Sequence, residues 1–542
     1  MTNRTKADRR TFLGTTAIAG AMAAKVASAQ EDTAANAGVG GDFELKEAEI
    51  AELAAGLGNG KHTAVSLTRM YLDRIQSLDG QLGSVIEINP DAEQIAADLD
   101  RERSMGKVRG PLHGVPVMVK DNFDTRDKMK TTAGSLALLD APPPPEDSFV
   151  VQRLRKAGAV LIGKTNLSEW ANIRSTNSTS GWSGRGGQCS NPYALDRNPC
   201  GSSSGSGAAV SANFCSVAVG TETDGSVTCP SACCGIVGIK PTLGLISRTG
   251  VIPISHSQDT AGPMARTVRD AAVLLGALAG SDPQDIATAE ADENRSNDYT
   301  QFLDAGGLNG AKIAVARNYF GFHDDCETVL EEALEAMRAA GATLVDTERL
   351  SKAEQAGSAE TKVLEYDLKH DMAAYLARLG PDSPMKTLQD LIDFNNANRD
   401  TELKYFGQEF FEAAVERGEW TDNAYIEARA KCLRLTRDEG IDGILDDLEL
   451  DCFVAPSAGL PCLTDLINGD HWSGISSSPA AVAGYPNITV PAGHVFGLPL
   501  GISFFGRKWQ EPKLLRIAYA FEQATKHRRA PEFLPTAKLD GV

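Results

Sequence analysis

Residues 198–231 read NPCGSSSGSGAAVSANFCSVAVGTETDGSVTCPS and hold two turns rich in glycine and serine, at 198–207 and 220–231. A helix of small residues is predicted after Gly207, and residues 217–219 predict a strand that leads into the second turn. Glycine permits tight turns and a close backbone approach to a ligand, and successive backbone amides can form an anion-binding nest. The stretch therefore predicts a serine nucleophile beside donors for an oxyanion.

A serine nucleophile needs a base, and a buried lysine can serve. Residues 115–119 form a short apolar run, a candidate buried strand that ends at Lys120. Burial lowers the pKa of a lysine by desolvation and so makes the neutral amine available. Three alternatives stay open: a base at Lys164, a base at Lys240, and a surface ion pair of Lys120 with Asp121 or Asp124.

Histidine, the usual base for a serine, stands in no recognisable triad context in this chain. His113 precedes the 115–119 strand and His256 lies in a polar loop, so both are interpreted as structural or exposed. The same interpretation applies to the other six, which are His62, His323, His370, His471, His494 and His527.

Strand and helix patterns alternate along the rest of the chain, which is typical of an α/β fold with a largely buried, mixed sheet. Residues 171–206 predict a loop whose length is uncommon unless it is functional, and 352–440 predict a helical lid or side layer. Further strands are expected near 159–162, 311–315, 343–345, 451–456 and 487–491, and helices near 45–57, 63–78, 149–157, 327–339 and 512–525.

The first 29 residues match a Tat-type export signal. Arg9 and Arg10 precede Thr-Phe-Leu-Gly, an interrupted apolar run follows, and small residues at 27–29 suit cleavage by a signal peptidase. We therefore expect the precursor to use the Tat machinery of a bacterium and to reach the periplasm or the medium. Residues 30–42 predict a flexible linker, 43–535 the folded domain, and 536–542 a C-terminal tail.

Charge and hydropathy limit the partners of this chain. The formal net charge is −19, so electrostatic repulsion argues against nucleic acid and anionic membrane surfaces. No stretch reaches the roughly 18 unbroken apolar residues that a membrane-spanning helix needs. We expect a small-molecule or peptide substrate and no membrane anchor.

The ten cysteines suggest structural roles rather than metal binding. Cys189 and Cys200 flank a turn-rich loop and are candidates for a disulfide after export, whereas Cys233 and Cys234 lie in a small, apolar stretch typical of core packing. No C-x-x-C pair is matched by a second such pair or by a histidine pair, so a zinc site has no support. No metal or organic cofactor is expected.

Several further segments, together with the two turns, resemble the amidase signature family. The resemblance covers about residues 43–532, and several ordered motifs make it more specific than one short motif. It implies one compact catalytic domain, with a large mixed, mostly parallel sheet covered by helices on both faces and a helical side layer. The segments are GVPVMVKDNFDT at 114–125, GIVGIKPTLGLISRTG at 235–250, SQDTAGPMARTV at 257–268, and GYPNITVPAG and GLPLGISFFGR within 484–507.

The resemblance implies a Ser-Ser-Lys catalytic set. The serine that ends the GTxxxGS turn, Ser226, is the nucleophile, and Ser202 passes its proton to the base Lys120. A cis peptide bond before Ser202 is implied as well. The oxyanion is expected to be held by the backbone amides of Thr223, Asp224, Gly225 and Ser226.

Three positions depart from the commonest family pattern. Cys200 and Ser204 stand where glycine is usual in the first turn, and Asp224 stands where glycine is usual in the second, which adds a carboxylate near the site. The variant GTETDGS, with STSGWSGRGG at 178–187, resembles the peptide amidase branch, whose members remove the C-terminal amide of peptides. The substrate groove is expected to be shaped by Asn172, Ser180, Gly181 and Trp182.

Other functions stay open. An amidase of aryl or aliphatic amides would use the same catalytic set, and a periplasmic solute-binding protein would keep the scaffold without turnover. A glutamine-hydrolysing tRNA amidotransferase subunit shares the motifs but works in the cytosol. Residues 201–205 also match the G-x-S-x-G nucleophile elbow, which would make Ser203 the nucleophile. Because no strand pattern precedes this elbow, we expect Ser203 to support the neighbouring turn by hydrogen bonding instead.

Overall fold

The computed structural model describes residues 43–539. The chain divides into two units between Lys46 and Glu47, and the fold given below is that of residues 47–539. The predicted export signal and linker, residues 1–42, lie outside the described residues, as do the last three residues of the predicted tail.

Thirteen strands are present in the described chain, eleven of them in one mixed sheet and two in a separate hairpin, β4–β5. In chain order the strands are β1 (Val85–Ile88), β2 (Pro116–Lys120), β3 (Val160–Thr165), β4 (Trp182–Ser183), β5 (Gly187–Gln188), β6 (Val217–Glu222), β7 (Val237–Lys240), β8 (Thr260–Ala265), β9 (Lys312–Ala316), β10 (Thr343–Thr347), β11 (Cys452–Ala458), β12 (Asn487–Val495) and β13 (Leu498–Phe505).

The large sheet has the order β1-β3-β2-β6-β8-β7-β12-β13-β11-β9-β10. Parallel ladders join β3 to β2, β2 to β6, β11 to β9 and β9 to β10. The other six ladders are antiparallel. The predicted mixed sheet is therefore confirmed, and its parallel ladders fall into two groups on either side of a central antiparallel run.

The strands at the centre of the sheet are buried along their whole length. Every residue of β2, β3, β6, β7 and β8 is buried. Successive side chains of a strand point to opposite faces, so burial at every position means that both faces are covered, as the family resemblance implied. This double burial explains why these strands appear in the sequence as continuous apolar runs.

Helices surround the sheet, and their ends follow local chemistry. Thr63 caps the second helix, since its side chain accepts a hydrogen bond from the Ser66 N–H while the Ser66 hydroxyl oxygen accepts one from the Thr63 N–H, and Gly83 ends that helix at φ +61°. The helices are α1 (Ile50–Gly58), α2 (Ala64–Leu82), α3 (Ala92–Ser104), α4 (Phe149–Lys156), α5 (Ser204–Ser211), α6 (Thr228–Cys233), α7 (Val268–Leu278), α8 (Ala291–Asn294), α9 (Asp324–Ala339), α10 (Gly357–Arg378), α11 (Leu388–Ala397), α12 (Arg399–Glu402), α13 (Glu409–Val415), α14 (Asn423–Leu433), α15 (Asp442–Asp447), α16 (Ser478–Ala483) and α17 (Glu511–Thr525), with a π-helical turn at Arg434–Ile441.

The helix predicted after Gly207 begins earlier than expected, at Ser204. Serine and glycine have low helix propensity, which is why the sequence predicts a loop for this part of the chain. The tertiary setting overrides propensity, because α5 is fully buried against neighbouring backbone. A Cβ atom on Gly205 would lie 2.3 Å from the Ser84 carbonyl oxygen, so only glycine permits this approach.

Residues 352–440 are mainly helical, as their composition predicted, and contain all five helices from α10 to α14. Leu368 and Leu376 of α10 belong to one buried cluster with Leu167 and Trp170, which follow β3. This helical layer therefore packs on the segment that leads into the catalytic turns. None of the helices in the described part of the chain is long and apolar enough to cross a membrane.

Candidate active site

Lys120 and Ser202 are in contact beneath the two turns. Lys120 ends β2 and is fully buried, and its Nζ lies 2.7 Å from the Ser202 Oγ. Thr221 on the neighbouring strand β6 places its Oγ1 at 2.9 Å and its carbonyl oxygen at 3.4 Å from the same Nζ. Asn122 donates its side-chain amide to the Thr221 Oγ1 at 2.9 Å. The Gly201–Ser202 peptide bond is cis, as the family resemblance implied.

The environment of Lys120 favours the neutral amine. Burial lowers the pKa of Lys120 to about 7, and the negative charges of Asp259 and Glu222 oppose this effect by smaller amounts. An ordinary lysine has a pKa of roughly 10.4 and is fully charged at neutral pH. Lys120 therefore has a substantial neutral fraction near pH 7, as a lysine base requires.

Ser226 lies in the turn that follows β6, and 7 % of its surface is exposed. Its carbonyl oxygen accepts a hydrogen bond from the Ser203 N–H at 3.1 Å, which ties the two turns together. Within residues 43–539, the N–H groups of residues 223–226 donate to no other group of the chain. Gly225 has φ +76°, in the left-handed region that favours glycine. This turn therefore presents free backbone donors beside a partly exposed serine hydroxyl.

Ser203 supports the end of β6. Its hydroxyl donates to the Thr221 carbonyl oxygen at 3.1 Å and accepts from the Thr221 N–H at 3.2 Å. A nucleophile elbow needs a strand directly before its serine, but no described strand lies between Gln188 and Ser203. Ser203 is also fully buried, so the geometry argues against it as the nucleophile.

Side chains anchor the second turn on both sides. Thr223 donates its hydroxyl to the Asp259 Oδ1 at 2.6 Å. The two carboxylate oxygens of Asp224 accept hydrogen bonds from the Ser477 hydroxyl at 2.5 Å and the Ser478 hydroxyl at 2.6 Å. These contacts involve side chains only, so they hold the turn in place and leave its backbone donors free.

Lys164 and Lys240, the two alternative bases, make hydrogen bonds away from the serines of the two turns. Lys164 is buried, but its Nζ donates to the Phe123 carbonyl oxygen at 2.9 Å. Burial lowers the pKa of Lys240 to about 8, with the charge of Glu222 opposing it, yet its Nζ hydrogen bond goes to a backbone carbonyl. In the part of the chain that the structure describes, no lysine other than Lys120 and no histidine is hydrogen-bonded to the serines of the two turns.

The candidate disulfide between Cys189 and Cys200 is wrong. Cys200 is bonded to Cys229, and Cys189 is a buried free thiol. The second turn brings Cys229 to Cys200, whereas Cys189 packs beneath α5 with Ala208 and Cys234. Cys200 has φ +61°, which accounts for glycine being usual at this position. The disulfide links the residue before the cis peptide to the helix after Ser226.

One group of side chains outside the two turns has metal-ligating chemistry. His256, Asp367 and Asp371 place their ligand atoms within 4.8 Å of one another. The His256 Nδ1 lies 3.0 Å from the Asp371 Oδ2, so an ion pair closes this group without a metal. The burial of Asp367 fits a structural contact between α10 and the loop before β8.

A cavity of about 580 Å³ opens beside the two turns. Gly201, Asp224 and Gly225 form part of its wall, so it lies next to the cis peptide and the free backbone donors. Asn172 and Ser180, two of the residues expected in the groove, also line it. A volume of this size is typical of a small-molecule or short-peptide site.

Gly181 and Trp182, the other two residues expected in the groove, do not line this cavity. Trp182 begins the β4–β5 hairpin, and its ring packs edge-on against Phe406 at a centroid distance of 5.1 Å. Gly181 donates its N–H to the Ser168 hydroxyl at 2.9 Å. Both residues are buried in the packing around the hairpin, and their place in the substrate groove stays a prediction.

Several cavity residues carried no signal in the sequence. They lie far from the turns along the chain, in segments without a motif, and only the folding of the chain brings them near. Asn122, which does not line the cavity, is the second residue after Lys120, so its place near Lys120 could have been inferred from spacing. The missed lining residues include Glu360, Leu364, Phe410, Trp472, Ser477 and Ser478.

The family model named Amidase matches residues 66–515. A protein of Arabidopsis thaliana named "Probable amidase" is 40% identical over 504 residues, which cover 91% of this chain and 93% of that protein. The native peptide amidase of Stenotrophomonas maltophilia, a crystal structure, is 47% identical with a TM-score of 0.86, covering 91% of this chain and 99% of that chain. The glutamyl-tRNA(Gln) amidotransferase of Microcystis aeruginosa has a subunit that is 35% identical, covering 89% of this chain and 99% of that protein.

The chain belongs to the Amidase family, whose members carry the amidase signature. It has the amidase signature fold, with a large mixed sheet in one compact domain, and it is an amidase, a hydrolase of amide C–N bonds. The resemblance found in its motifs is therefore confirmed, including the similarity to peptide amidase.

Proposed function

We propose that this amidase removes the C-terminal amide of peptides as ammonia, with Ser226 as nucleophile, Ser202 as proton relay and Lys120 as base. The observation that carries the proposal is the 2.7 Å contact between the Lys120 Nζ and the Ser202 Oγ. It lies beneath a turn that combines a partly exposed serine with free backbone donors.

The contacts of Lys120 match the needs of a neutral amine, which has two N–H groups and one lone pair. Two oxygens of Thr221 can accept the two N–H groups, which leaves the lone pair directed at the Ser202 hydroxyl. Ser202 gives its proton to Lys120 as it takes the proton of Ser226. The Ser226 Oγ then attacks the carbonyl carbon of the amide.

The free N–H groups of residues 223–226 stabilise the negative oxygen of the tetrahedral intermediate. The proton held on Lys120 returns through Ser202 to the leaving nitrogen, the C–N bond breaks, and ammonia departs. Water then attacks the acyl group on Ser226 and gives its proton to Lys120 along the same relay. The bond between the Ser226 Oγ and the acyl carbon breaks, Ser226 takes the proton back from Lys120 through Ser202, and the peptide acid is released. Protons and electrons balance without a metal or an organic cofactor.

Two features support the peptide amide as substrate. The peptide amidase of Stenotrophomonas maltophilia is similar over 91% of this chain. The cavity of about 580 Å³ beside the two turns also has room for a group larger than a short aliphatic amide. Aryl amides and short aliphatic amides fit the same mechanism, so a substrate panel separates these classes.

The test is ammonia release by the purified protein lacking residues 1–29. The panel contains amidated dipeptides, aryl amides, short aliphatic amides, glutamine and a p-nitrophenyl ester. We expect release from the peptide amides, loss of all activity in Ser226→Ala, and retained activity in the matched control Ser203→Ala. Turnover of the other amides alone would overturn the substrate class and keep the mechanism. Binding without any turnover would favour the solute-binding alternative, and activity that survives Ser226→Ala but not Ser203→Ala would overturn the nucleophile.

We also propose that the precursor is exported by the Tat pathway, which the sequence of residues 1–29 supports. Cell fractionation tests this with a double variant, Arg9→Lys and Arg10→Lys, and with Arg4→Lys as control. We expect the double variant to stay in the cytosol unprocessed while the control is exported. Equal export of both variants would contradict the proposal.

A further inference from the structure

The cavity beside the two turns contains acidic side chains and no basic ones. Its ionisable lining consists of Asp224, Glu360 and Asp470, and no lysine, arginine or histidine of residues 43–539 lines it. A cleft lined by charges of one sign focuses the field and concentrates ligands of the opposite sign. The cavity is therefore expected to favour positively charged ligands, in addition to selecting ligands by shape.

Asp224 brings this negative charge close to the reacting centre. It lies two residues before Ser226, at a family position where glycine is usual. Hydrogen bonds from Ser477 and Ser478 fix both of its carboxylate oxygens in place. Hydroxyl donors of this kind favour the ionised form, so they work against the burial that raises the pKa of Asp224.

Glu360 of α10 faces Asp224 from the helical layer. Gln258 donates its side-chain amide to the Glu360 Oε1 at 2.9 Å and to the Thr223 carbonyl oxygen at 3.2 Å, which connects Glu360 to the second turn. Burial first, and the charge of Asp224 second, raise the pKa of Glu360 to about 8. Near pH 7 Glu360 therefore keeps its proton. The other titratable groups that interact electrostatically with this pair include Cys432 of α14, Lys240 of β7, Glu222 of β6 and Tyr319.

We propose that this cavity selects amides that carry a protonated amine near the scissile bond and disfavours amides that carry a carboxylate there. The inference rests on the proposed function, since it places the reacting amide at Ser226. An ammonium group in the cavity is attracted to the Asp224 carboxylate, and ionisation of Glu360 above its pKa of about 8 adds a second attraction. A carboxylate would add a further negative charge to the same space. The amine can belong to a side chain or to the N-terminus of a short peptide, which offer the same chemistry.

The test compares kcat/KM among amidated dipeptides of similar size. Acetyl-Gly-Lys-amide, acetyl-Gly-norleucine-amide and acetyl-Gly-Glu-amide vary the side-chain charge, and Gly-norleucine-amide with a free amino group tests the N-terminal source. At pH 7 and low salt we expect at least one ammonium substrate to exceed its neutral partner about fivefold, and the glutamate substrate to be the poorest. These ratios should shrink in 0.5 M salt, because screening weakens exposed charge interactions. Equal kcat/KM for all charges would overturn the inference.

The variant Glu360→Gln tests whether the charge preference arises from the pair of Asp224 and Glu360. Between pH 7 and pH 9 the lysine-to-norleucine ratio should rise in the wild type, because Glu360 ionises while the lysine side chain stays protonated. Glu360→Gln should keep the ratio constant over this range, and Glu354→Gln, an exposed glutamate outside the cavity, should behave like the wild type. A rise that persists in Glu360→Gln would overturn the role of Glu360.

The outcomes separate this inference from the proposed function. If no amidated peptide releases ammonia, the proposed function fails. If all amidated peptides are hydrolysed at equal kcat/KM, the proposed function stands and only the charge selection fails. The comparison of substrates on the wild-type enzyme needs no variant. It therefore decides whether the cavity selects substrates by charge, even if Glu360→Gln does not fold.

Discussion

The two catalytic turns and the helical layer contribute different things to one site. The turns, within residues 198–231, flank the buried strand β6, and the hydrogen bond from the Ser203 N–H to the Ser226 carbonyl oxygen joins them. The helical layer, 352–440, contributes Glu360 and Leu364 to the cavity wall. Under the proposed function, the sheet would carry the reaction chemistry and the layer would tune which amide reaches it.

Lys120→Met tests the catalytic role of the sheet, because it removes the proposed base at the end of β2. It has the largest expected effect on kcat. Methionine has a similar shape, but its thioether sulfur is too weakly basic to take a proton, so we expect kcat to fall by about 10³–10⁴-fold. Lys120→Arg should fall as far, because arginine stays protonated. The measurement is ammonia release from an amidated dipeptide. An unchanged melting temperature is the control for folding, and kcat within tenfold of wild type would contradict the role of Lys120.

Gly225→Ala tests the backbone donors of the second turn. A side chain at φ +76° is strained, and its Cβ would lie 3.0 Å from the Ser477 hydroxyl. We therefore expect the donors to shift and kcat to fall by about 10²–10³-fold, the usual cost of losing an oxyanion contact. Gly187→Ala is a matched control, because it has φ +68° with nothing within 4 Å. Equal loss in both variants would argue against the oxyanion role.

The pH dependence of kcat/KM tests the protonation state of Lys120. Below its pKa of about 7, Lys120 is an ammonium group and cannot act as a base. We therefore expect kcat/KM for an uncharged peptide amide to fall about tenfold for each pH unit below 7 and to level off above it. A profile that stays flat between pH 5 and pH 8, with the fold intact, would rule out a neutral lysine as the base.

The smallest expected effect lies in the helical layer. Leu364→Ala enlarges the cavity on the α10 side and removes apolar contact with the substrate, so KM should rise roughly three- to tenfold while kcat stays within about twofold. Ile426→Ala, an exposed apolar residue of the same layer, should leave both constants unchanged. A large loss of kcat in Leu364→Ala would mean that the layer also positions the catalytic groups.

The same two regions differ in how far the sequence predicted them. Lys120, Ser202 and Ser226 lie in compact motifs, so their family resemblance and the buried strand before Lys120 located them by residue number. The strand and helix patterns also predicted the mixed sheet, because doubly buried strands form continuous apolar runs. Glu360 could not be found in this way, since only the packing of α10 brings it to the second turn.

The sequence was least informative where tertiary contacts override local pattern. The candidate Cys189–Cys200 pairing rested on closeness along the chain, whereas the fold places Cys229 beside Cys200. Trp182 is expected in the groove because STSGWSGRGG at 178–187 resembles the peptide amidase branch. Its ring is buried against Phe406 of the helical layer, a contact that the sequence does not show.

The most direct test of the account is to trap the acyl group during turnover. The protein lacking residues 1–29 is mixed with an amidated peptide, quenched in acid within milliseconds to seconds, digested, and mapped by mass spectrometry. The account predicts a peptidyl adduct on Ser226 that is absent from Ser226→Ala and present in Ser203→Ala. An adduct on Ser203, or turnover of the peptide amide with no adduct on Ser226 at any quench time, would contradict it.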